Sequence, residues 1–464
     1  MKNSTFTTGL KCIVCSTMYP PEHIYVCPTC GLQGILDVQY DYDKINSVID
    51  KSVLSTRPLN HWRYKEFLPI DIGYALHHRG SRNQKDIIEP VNQSITQLSN
   101  QSIPSVKVAA SFNNMNDIDG HNLPPLHIGW TPVYDVPRLA KEVGVRKLFL
   151  KDDGRNPTNS YKDRASAVGV MKAIEFGFIT VAAASTGNAA SSLAGLAASV
   201  GLKCFIFVPQ RAPEPKVTQL LIFGATVLRV KGSYENAFDL CWEACEKFGW
   251  YNRSSGTNPY LVEGKKTGGH EIAEQCAADL PDWVAVSVGD GCTIGGIGKG
   301  LREMKLAGMI DRVPRLLGVQ AEGAKPILDA YYSGNDLVPS DTDTVADSIA
   351  VGTPRNWRRA IQQIKISGGE MIAVSDEEIL GAMRTTARLG GVFGEPAGVT
   401  GVAGVKRAIE KGIIKANESV LAVITGNGLK DIQTAKQAAG KEITIEPDLR
   451  SLEKVLPKQA NAAI

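Results

Sequence analysis

A chain of 464 residues is too long for one small core and predicts two or three domains. With 43% hydrophobic residues and a net charge of only +3, it gives no reason to expect a nucleic-acid or membrane partner. The longest apolar runs, such as residues 204–208, have the length of a strand and fall far short of a bilayer span. The first residues also lack the apolar run of a signal peptide, so we expect a cytoplasmic protein.

Four of the nine cysteines form two CxxC pairs separated by eleven residues. They are Cys12, Cys15, Cys27 and Cys30. Two such pairs can meet around one tetrahedral Zn²⁺, with the intervening residues as a hairpin. We therefore predict a zinc-ribbon-like module over residues 1–40 with a structural Zn²⁺. A ribbon that has kept its fold without metal and a redox-active pair are the alternatives, and the five scattered cysteines favour a reducing compartment.

Residues 41–150 read as an N-terminal segment with a long polar insert. A strand is expected at 35–40, a helix at 43–53 and an amphipathic helical turn at 62–69. The insert at 71–123 is rich in Asn, Gln and Ser. A loop of this length can be a lid, an interface element or disordered, and the sequence leaves all three open.

From residue 148 onward, strand-length apolar runs alternate with helical segments. Strands are predicted at 147–151, 179–184, 203–208, 226–230, 284–288, 315–320 and 419–424. Helices are predicted at 161–175, 188–200, 215–223, 233–247, 267–279, 294–307, 376–389 and 397–411. Continuously hydrophobic strands are typical of a parallel sheet buried on both faces, so the fold class is α/β. Residues 151–440 form the predicted core, followed by a tail at 441–464.

Ligands of such sheets bind in the loops that follow the carboxyl ends of the strands. The loop at 289–298 is glycine-rich and opens a helix, which suits a phosphate group, but it lacks the GK[ST] of a P-loop and is a poor dinucleotide fingerprint. The other loops supply the lysine at 162, a Ser/Thr/Asn group at 185–188 and a hydroxyl with an amide at 425–427. Each loop alone also reads as an ordinary turn or helix cap. Together they are the parts that pyridoxal phosphate requires.

The same four loops resemble a known family. Residues 156–164 are similar to the NPTGSFKDR motif of the threonine synthase family, which belongs to the tryptophan-synthase-β-like (fold type II) pyridoxal-phosphate enzymes. Residues 185–188 resemble that family's asparagine loop, 289–293 its phosphate loop, and 425–431 its TGxGLKD segment. The resemblance covers roughly residues 5–70 and 124–435. It implies two open, mostly parallel sheet domains, the smaller near 160–265, and a homodimer.

The resemblance also implies roles for individual residues. Lys162 would be the Schiff-base lysine and the acid/base that moves the α-proton, Asn188 would contact the 3′-oxygen of the ring, and Thr425 its pyridine nitrogen. Around the cofactor's phosphate it places Gly289, Asp290, Gly291, Cys292 and Thr293. For the substrate it implies Ser160, Ser185 and Thr186, the last two at the carboxylate.

Three positions depart from the family pattern. Asn159 stands where glycine is usual, Tyr161 where phenylalanine is usual, and Leu261 where the family's NPxRxEG segment has a phosphate-binding arginine. Losing an Arg–phosphate pair is costly unless another cation replaces it. Arg253, Lys265 or Lys266 could replace it, and we assign Arg253 and Lys266 to the substrate, although each also reads as a surface charge.

The expected activity is conversion of O-phospho-L-homoserine and water into L-threonine and phosphate. Two alternatives stay open: a β-replacement enzyme acting on an O-phosphoserine-like substrate, as cysteate synthase does, and a non-catalytic regulatory paralogue. The expected partner is a small anionic amino acid, with no nucleic acid and no membrane.

Overall fold

The computed structural model describes residues 6–70 and 123–460 of the chain. Apart from its last position, the predicted insert at 71–123 lies outside the described residues. Three β-sheets organise the rest. Within the described ranges, no helix is long and apolar enough to cross a membrane.

The N-terminal module is a small antiparallel sheet. Its strands are β1 (Thr7–Cys12), β2 (Met18–Tyr19), β3 (Val26–Cys27) and β4 (Gly31–Tyr40), in the order β2-β1-β4-β3. Alternating residues of β1 and β4, among them Leu10 and Val38, are buried, as expected for a sheet with one face on the core. Two short helices follow, α1 (Tyr42–Asn46) and α2 (Lys51–Ser55), and then a 3₁₀ helix, His61–Phe67. The single helix predicted at 43–53 is thus broken, because Asp50 caps the start of α2 through its side chain.

The large sheet has six strands in the order β13-β12-β11-β14-β6-β5. They are β5 (Val133–Asp135), β6 (Lys147–Asp152), β11 (Trp283–Ser287), β12 (Arg315–Ala321), β13 (Glu370–Val374) and β14 (Ser419–Ile424). All neighbours run parallel except β5, which is antiparallel to β6. Every residue of β14 is buried, which explains its uninterrupted apolar sequence.

The small sheet has four parallel strands in the order β10-β7-β8-β9. They are β7 (Thr180–Ala184), β8 (Lys203–Pro209), β9 (Thr226–Val230) and β10 (Tyr251–Asn252). All seven strands predicted after residue 146 are observed to within one residue, which confirms the α/β class. β5, β10 and β13 were not predicted.

The helices cover both sheets. They are α3 (Pro137–Val143), α4 (Lys162–Glu175), α5 (Asn188–Val200), α6 (Glu214–Ile222), α7 (Tyr234–Phe248), α8 (Tyr260–Gln275), α9 (Cys292–Leu306), α10 (Pro326–Ser333), α11 (Trp357–Ile366), α12 (Asp376–Gly390), α13 (Pro396–Glu410), α14 (Ile432–Ala438) and α15 (Leu449–Ala460). The start of α8 was predicted wrongly: the prediction placed it at residue 267, whereas the helix begins at Tyr260. Three glycines in its middle lower the helix propensity, and only its packing between α4 and α9 offsets that.

Candidate active site

The carboxyl ends of the parallel strands of the large and small sheets open into one cleft of about 1230 Å³. The loops after β7, β10, β11 and β14 line it, together with the first residue of α4. Eleven of the predicted site residues meet there: Lys162, Ser185, Thr186, Asn188, Arg253, Gly289, Asp290, Gly291, Cys292, Thr293 and Thr425. Residues far apart in sequence are therefore brought together where the parallel-sheet rule expects a ligand.

Lys162 begins α4 and lines the cleft. Burial lowers the pKa of its amine, and the guanidinium of Arg253 lowers it further, whereas Cys292, Glu395 and Asp290 act in the opposite direction. A lysine whose pKa is lowered by burial and a neighbouring cation is more readily neutral, which is what a nucleophilic or basic amine requires.

The loop before Lys162 is held by buried hydrogen bonds. Thr158 donates from both its backbone N–H, at 2.7 Å, and its hydroxyl to the carboxylate of Asp163. The backbone N–H of Tyr161 donates to the carbonyl of Thr425 at 2.8 Å, which ties the loop to the end of β14. Asn159 has a φ of +64°, in the left-handed region. Asparagine tolerates that conformation better than most residues, so this departure from glycine preserves the backbone of the loop.

Below this loop lies a buried cluster of four charges. The guanidinium of Arg164 pairs with Asp153 at 2.6 Å and with Glu271 at 2.5 Å, and Lys151 pairs with Glu271 at 2.8 Å. The two cations hold the pKa of Glu271 well below its usual range, although burial alone would raise it. Because both carboxylates are paired and hydrogen-bonded, the cluster fixes α4 and α8 relative to each other.

The glycine-rich loop after β11 fits an anion. Gly291 has a φ of +92° and precedes Cys292, where α9 begins. The first N–H groups of a helix lack intrahelical acceptors and attract negative charge. A Cβ at Gly289 would lie only 2.9 Å from the Cα of Ile349, so a larger residue would not fit that side of the cradle. Burial raises the pKa of the Cys292 thiol to about 12, and the thiol donates to Asp290 at 2.8 Å.

The structure adds one residue that the sequence analysis missed. Glu395, just before α13, lines the cleft, is 4% exposed and accepts a 2.7 Å hydrogen bond from the amide of Asn188. Burial raises the pKa of this carboxyl, and the nearby ammonium groups of Lys430 and Lys162 oppose that shift. The available signal was a glutamate between Gly394 and the helix-starting Pro396.

Two predicted substrate residues do not line the cleft. Lys266 is a correction: its ammonium lies in a buried network, 2.7 Å from Glu263 and 2.8 Å from Glu303. Lys265, its neighbour in sequence, lines the cleft instead. Ser160 is fully buried, its backbone pairs with Gly426, and its role stays a prediction.

The four cysteines of the N-terminal module come together. The Sγ atoms of Cys12, Cys15, Cys27 and Cys30 all lie within 4.8 Å of one another. Tyr19 lies beside this cluster, with its hydroxyl 3.1 Å from the Sγ of Cys27. Four thiols at this separation fit a closed tetrahedral set of metal ligands.

A family model described as pyridoxal-phosphate dependent enzyme matches residues 125–426, so the chain belongs to this enzyme family. More specifically, it is similar to threonine synthases: 34% identical over 96% of this chain and 98% of the protein from Methanocaldococcus jannaschii, and 35% identical over the same shares for Methanosarcina acetivorans. A structure of maize serine racemase superposes with a TM-score of 0.58 at 21% identity, covering 72% of this chain and 93% of that one, and shows the fold alone.

These comparisons confirm the predicted family and its cofactor, pyridoxal phosphate. The residues at the cleft fit that cofactor, because a lysine of lowered pKa and an anion cradle line the same cleft. They also confirm that the chain is a pyridoxal-phosphate-dependent enzyme of the threonine-synthase type.

Proposed function

We propose that the enzyme converts O-phospho-L-homoserine and water into L-threonine and phosphate. The observation that carries the proposal is that Lys162, the cradle at the start of α9 and the buried Arg253 all line the same cleft. The substrate would carry two kinds of anion, a carboxylate and a phosphate. Two buried cations, Arg253 and Lys265, line the cleft together with its reactive amine, and such cations suit an anionic molecule.

Pyridoxal phosphate, when bound, supplies an aldehyde that reacts with amines and a ring that accepts carbanion charge. Lys162 would hold it covalently, and the first turn of α9 would hold its phosphate. The five residues proposed for that phosphate are Gly289, Asp290, Gly291, Cys292 and Thr293. Asn188 and Thr425 would contact the ring, and Glu395 would orient Asn188 through the hydrogen bond between them.

Lys162 would also move protons at the α-carbon of the substrate. Because burial lowers its pKa, the amine is available as a base without a large cost of deprotonation. Ser185 and Thr186 stand at the cleft wall after β7 and would donate hydrogen bonds to the substrate carboxylate. The positive charge of Arg253 would attract the anionic substrate.

A β-replacement reaction on an O-phosphoserine-like substrate is the second candidate, because Leu261 stands where the family has a phosphate-binding arginine. Leu261 is fully buried and packs toward Gly169 of α4, and it does not line the cleft. The phosphate of either substrate would therefore need another cation.

The proposal is tested with the purified holoenzyme. O-phospho-L-homoserine should release phosphate and yield L-threonine in equal amounts, and Lys162→Ala should abolish both products together with the visible absorbance band of the bound cofactor. Lys203→Ala, at an exposed position of β8, is the matched control and should retain both. Phosphate release from O-phosphoserine alone, dependent on sulfite or a thiol, would replace this reaction by the second candidate.

For the N-terminal module we propose a structural Zn²⁺ held by Cys12, Cys15, Cys27 and Cys30, as in a zinc ribbon. Four thiolates would close the coordination sphere and leave no position for a substrate. We further propose a homodimer in the cytoplasm, on the resemblance and the cysteine usage respectively. Metal analysis of the purified protein and its mass by light scattering test the first two points.

A further inference from the structure

Two cations of the cleft are buried without a carboxylate partner. Lys265 is 1% exposed and Arg253 is 2% exposed, and both line the cleft. The guanidinium of Arg253 donates only to neutral oxygens: the hydroxyls of Ser166 and Ser255 at 2.9 to 3.1 Å, and the carbonyl of Lys162 at 3.4 Å. Among the described residues, no acidic side chain forms a salt bridge with either cation.

Other buried cations of the protein, in contrast, form salt bridges. Lys266, one position further along α8, is neutralised by Glu263 and Glu303. Buried cations elsewhere in the core, such as Lys151 and Arg164, are likewise paired with carboxylates. Burying a cation without a counter-charge is unfavourable, so a pair of them at a cleft wall indicates that a ligand supplies the anion.

Close helix packing fixes where Lys265 lies. A Cβ at Gly264 would overlap the carbonyl oxygen of Arg164 in α4, and a Cβ at Gly296 in α9 would lie 2.9 Å from the Cβ of Lys265. The two glycines therefore let α8 approach both neighbours closely. As a result, Lys265 lies between the helix that begins with Lys162 and the helix that begins at the anion cradle.

Tyr161 fixes the backbone of Lys265. Its hydroxyl donates to the carbonyl of Lys265 at 2.6 Å, and the ring is 1% exposed. A Cβ at Gly268 would overlap that hydroxyl, so the glycine in α8 provides the space that the hydroxyl occupies. A phenylalanine at this position, which the family motif has, would pack in the same space but could not make the hydrogen bond.

We propose that Lys265 and Arg253 form the subsite for the substrate's phosphate, and that Tyr161 is the positioning residue that holds Lys265 in it. The proposal rests on the proposed function, since it requires a phosphorylated amino-acid substrate. In this proposal Lys265 and Arg253 bind the phosphate that an arginine at position 261 binds in the family motif. The cofactor's phosphate has its own donors at the start of α9, so the second anion is that of the substrate.

Equilibrium binding of inorganic phosphate to the holoenzyme tests the subsite without turnover. Lys265→Met should weaken phosphate binding roughly 10- to 100-fold, because it removes a charge-assisted hydrogen bond. Tyr161→Phe should weaken it about three- to tenfold, as expected for one neutral hydrogen bond. Lys203→Met removes the same charge from an exposed position and should leave binding unchanged.

Two further measurements distinguish a phosphate subsite from a purely structural role of Tyr161 and Lys265. Tyr161→Phe should raise KM for O-phospho-L-homoserine more than it lowers kcat, and it should not alter binding of L-threonine, which carries no phosphate. A titration with pyridoxal phosphate, followed by absorbance, should give the same affinity in Lys265→Met as in the unmodified enzyme.

Unchanged phosphate binding in Lys265→Met overturns the proposal. A lower affinity of Lys265→Met for pyridoxal phosphate also overturns it, because Lys265 would then bind the cofactor's phosphate. An enzyme that binds phosphate through Lys265 but forms no threonine keeps the subsite and rejects the proposed reaction. If Lys265→Met forms threonine at the rate of the unmodified enzyme, the proposed reaction is supported and the subsite is rejected.

Discussion

Asn159 offers a test of whether the altered lysine loop has kept the backbone of the family motif. Its side chain is exposed, and its φ of +64° is in the left-handed region. Its backbone is engaged on both sides: its N–H donates to the carbonyl of Asn156 at 2.8 Å, and its carbonyl accepts from the N–H of Asn427 at 3.1 Å. A substitution here therefore changes the cost of the conformation and few side-chain contacts.

For an ordinary L-residue the left-handed conformation costs roughly 1–2 kcal/mol, while glycine adopts it without steric cost and asparagine with little. Asn159→Ala should therefore lower the free energy of unfolding by about 1 kcal/mol. The free energy of unfolding of Asn159→Gly should lie within about 0.5 kcal/mol of that of the unmodified enzyme. Glycine relieves the remaining steric cost of the left-handed conformation, but it also raises the conformational entropy of the unfolded chain.

The assay is urea unfolding of the two variants, compared with the loss of the cofactor's absorbance band, which reports on Lys162 three residues away. The band should be lost at lower urea in Asn159→Ala than in Asn159→Gly. Equal behaviour of the alanine and glycine variants would refute the reasoning, because it would mean that the left-handed backbone at this position does not matter.

Three other expectations follow from the cleft and the N-terminal module. Leu261→Arg restores the family residue but places an unpaired charge against Gly169. It should therefore lower the free energy of unfolding by about 3–5 kcal/mol. A variant that is as stable as the unmodified enzyme and binds phosphate more tightly would contradict this. Burial lowers the pKa of Lys265 to about 8, so its charge is lost as the pH rises through that value, and phosphate binding should weaken there in the unmodified enzyme and less so in Lys265→Met. The ionisable groups that influence Lys265 are Cys292, Lys162, Arg253 and Asp290. Tyr25→Phe removes the 2.7 Å acceptor of the N–H of Asn252 and should raise KM through the adjacent Arg253, with the zinc content unchanged; an unaltered KM would show that the module does not support the cleft.

The sequence determined seven of the ten strands that follow residue 132, the order of the polar loops and the reactive lysine. These seven strands carry a recognisable apolar pattern, and the loops that follow them point to the ligand site by a general rule. For the same reason Lys162, Asn188 and the loop at 289–293 could be placed in one site without coordinates. The two CxxC pairs likewise predicted the cysteine cluster, because their spacing is short and local.

Only the tertiary structure decided which cations face the cleft. Lys265 and Lys266 are adjacent in a helix where successive side chains point about 100° apart, so one lines the cleft and the other does not. The sequence could not choose, because almost every residue of α8 is buried and no polar face marks the side toward solvent. Glu395 was missed for a related reason, since its partner Asn188 lies more than two hundred positions away. The reactive lysine follows from local pattern, whereas the charges around it depend on how three helices pack.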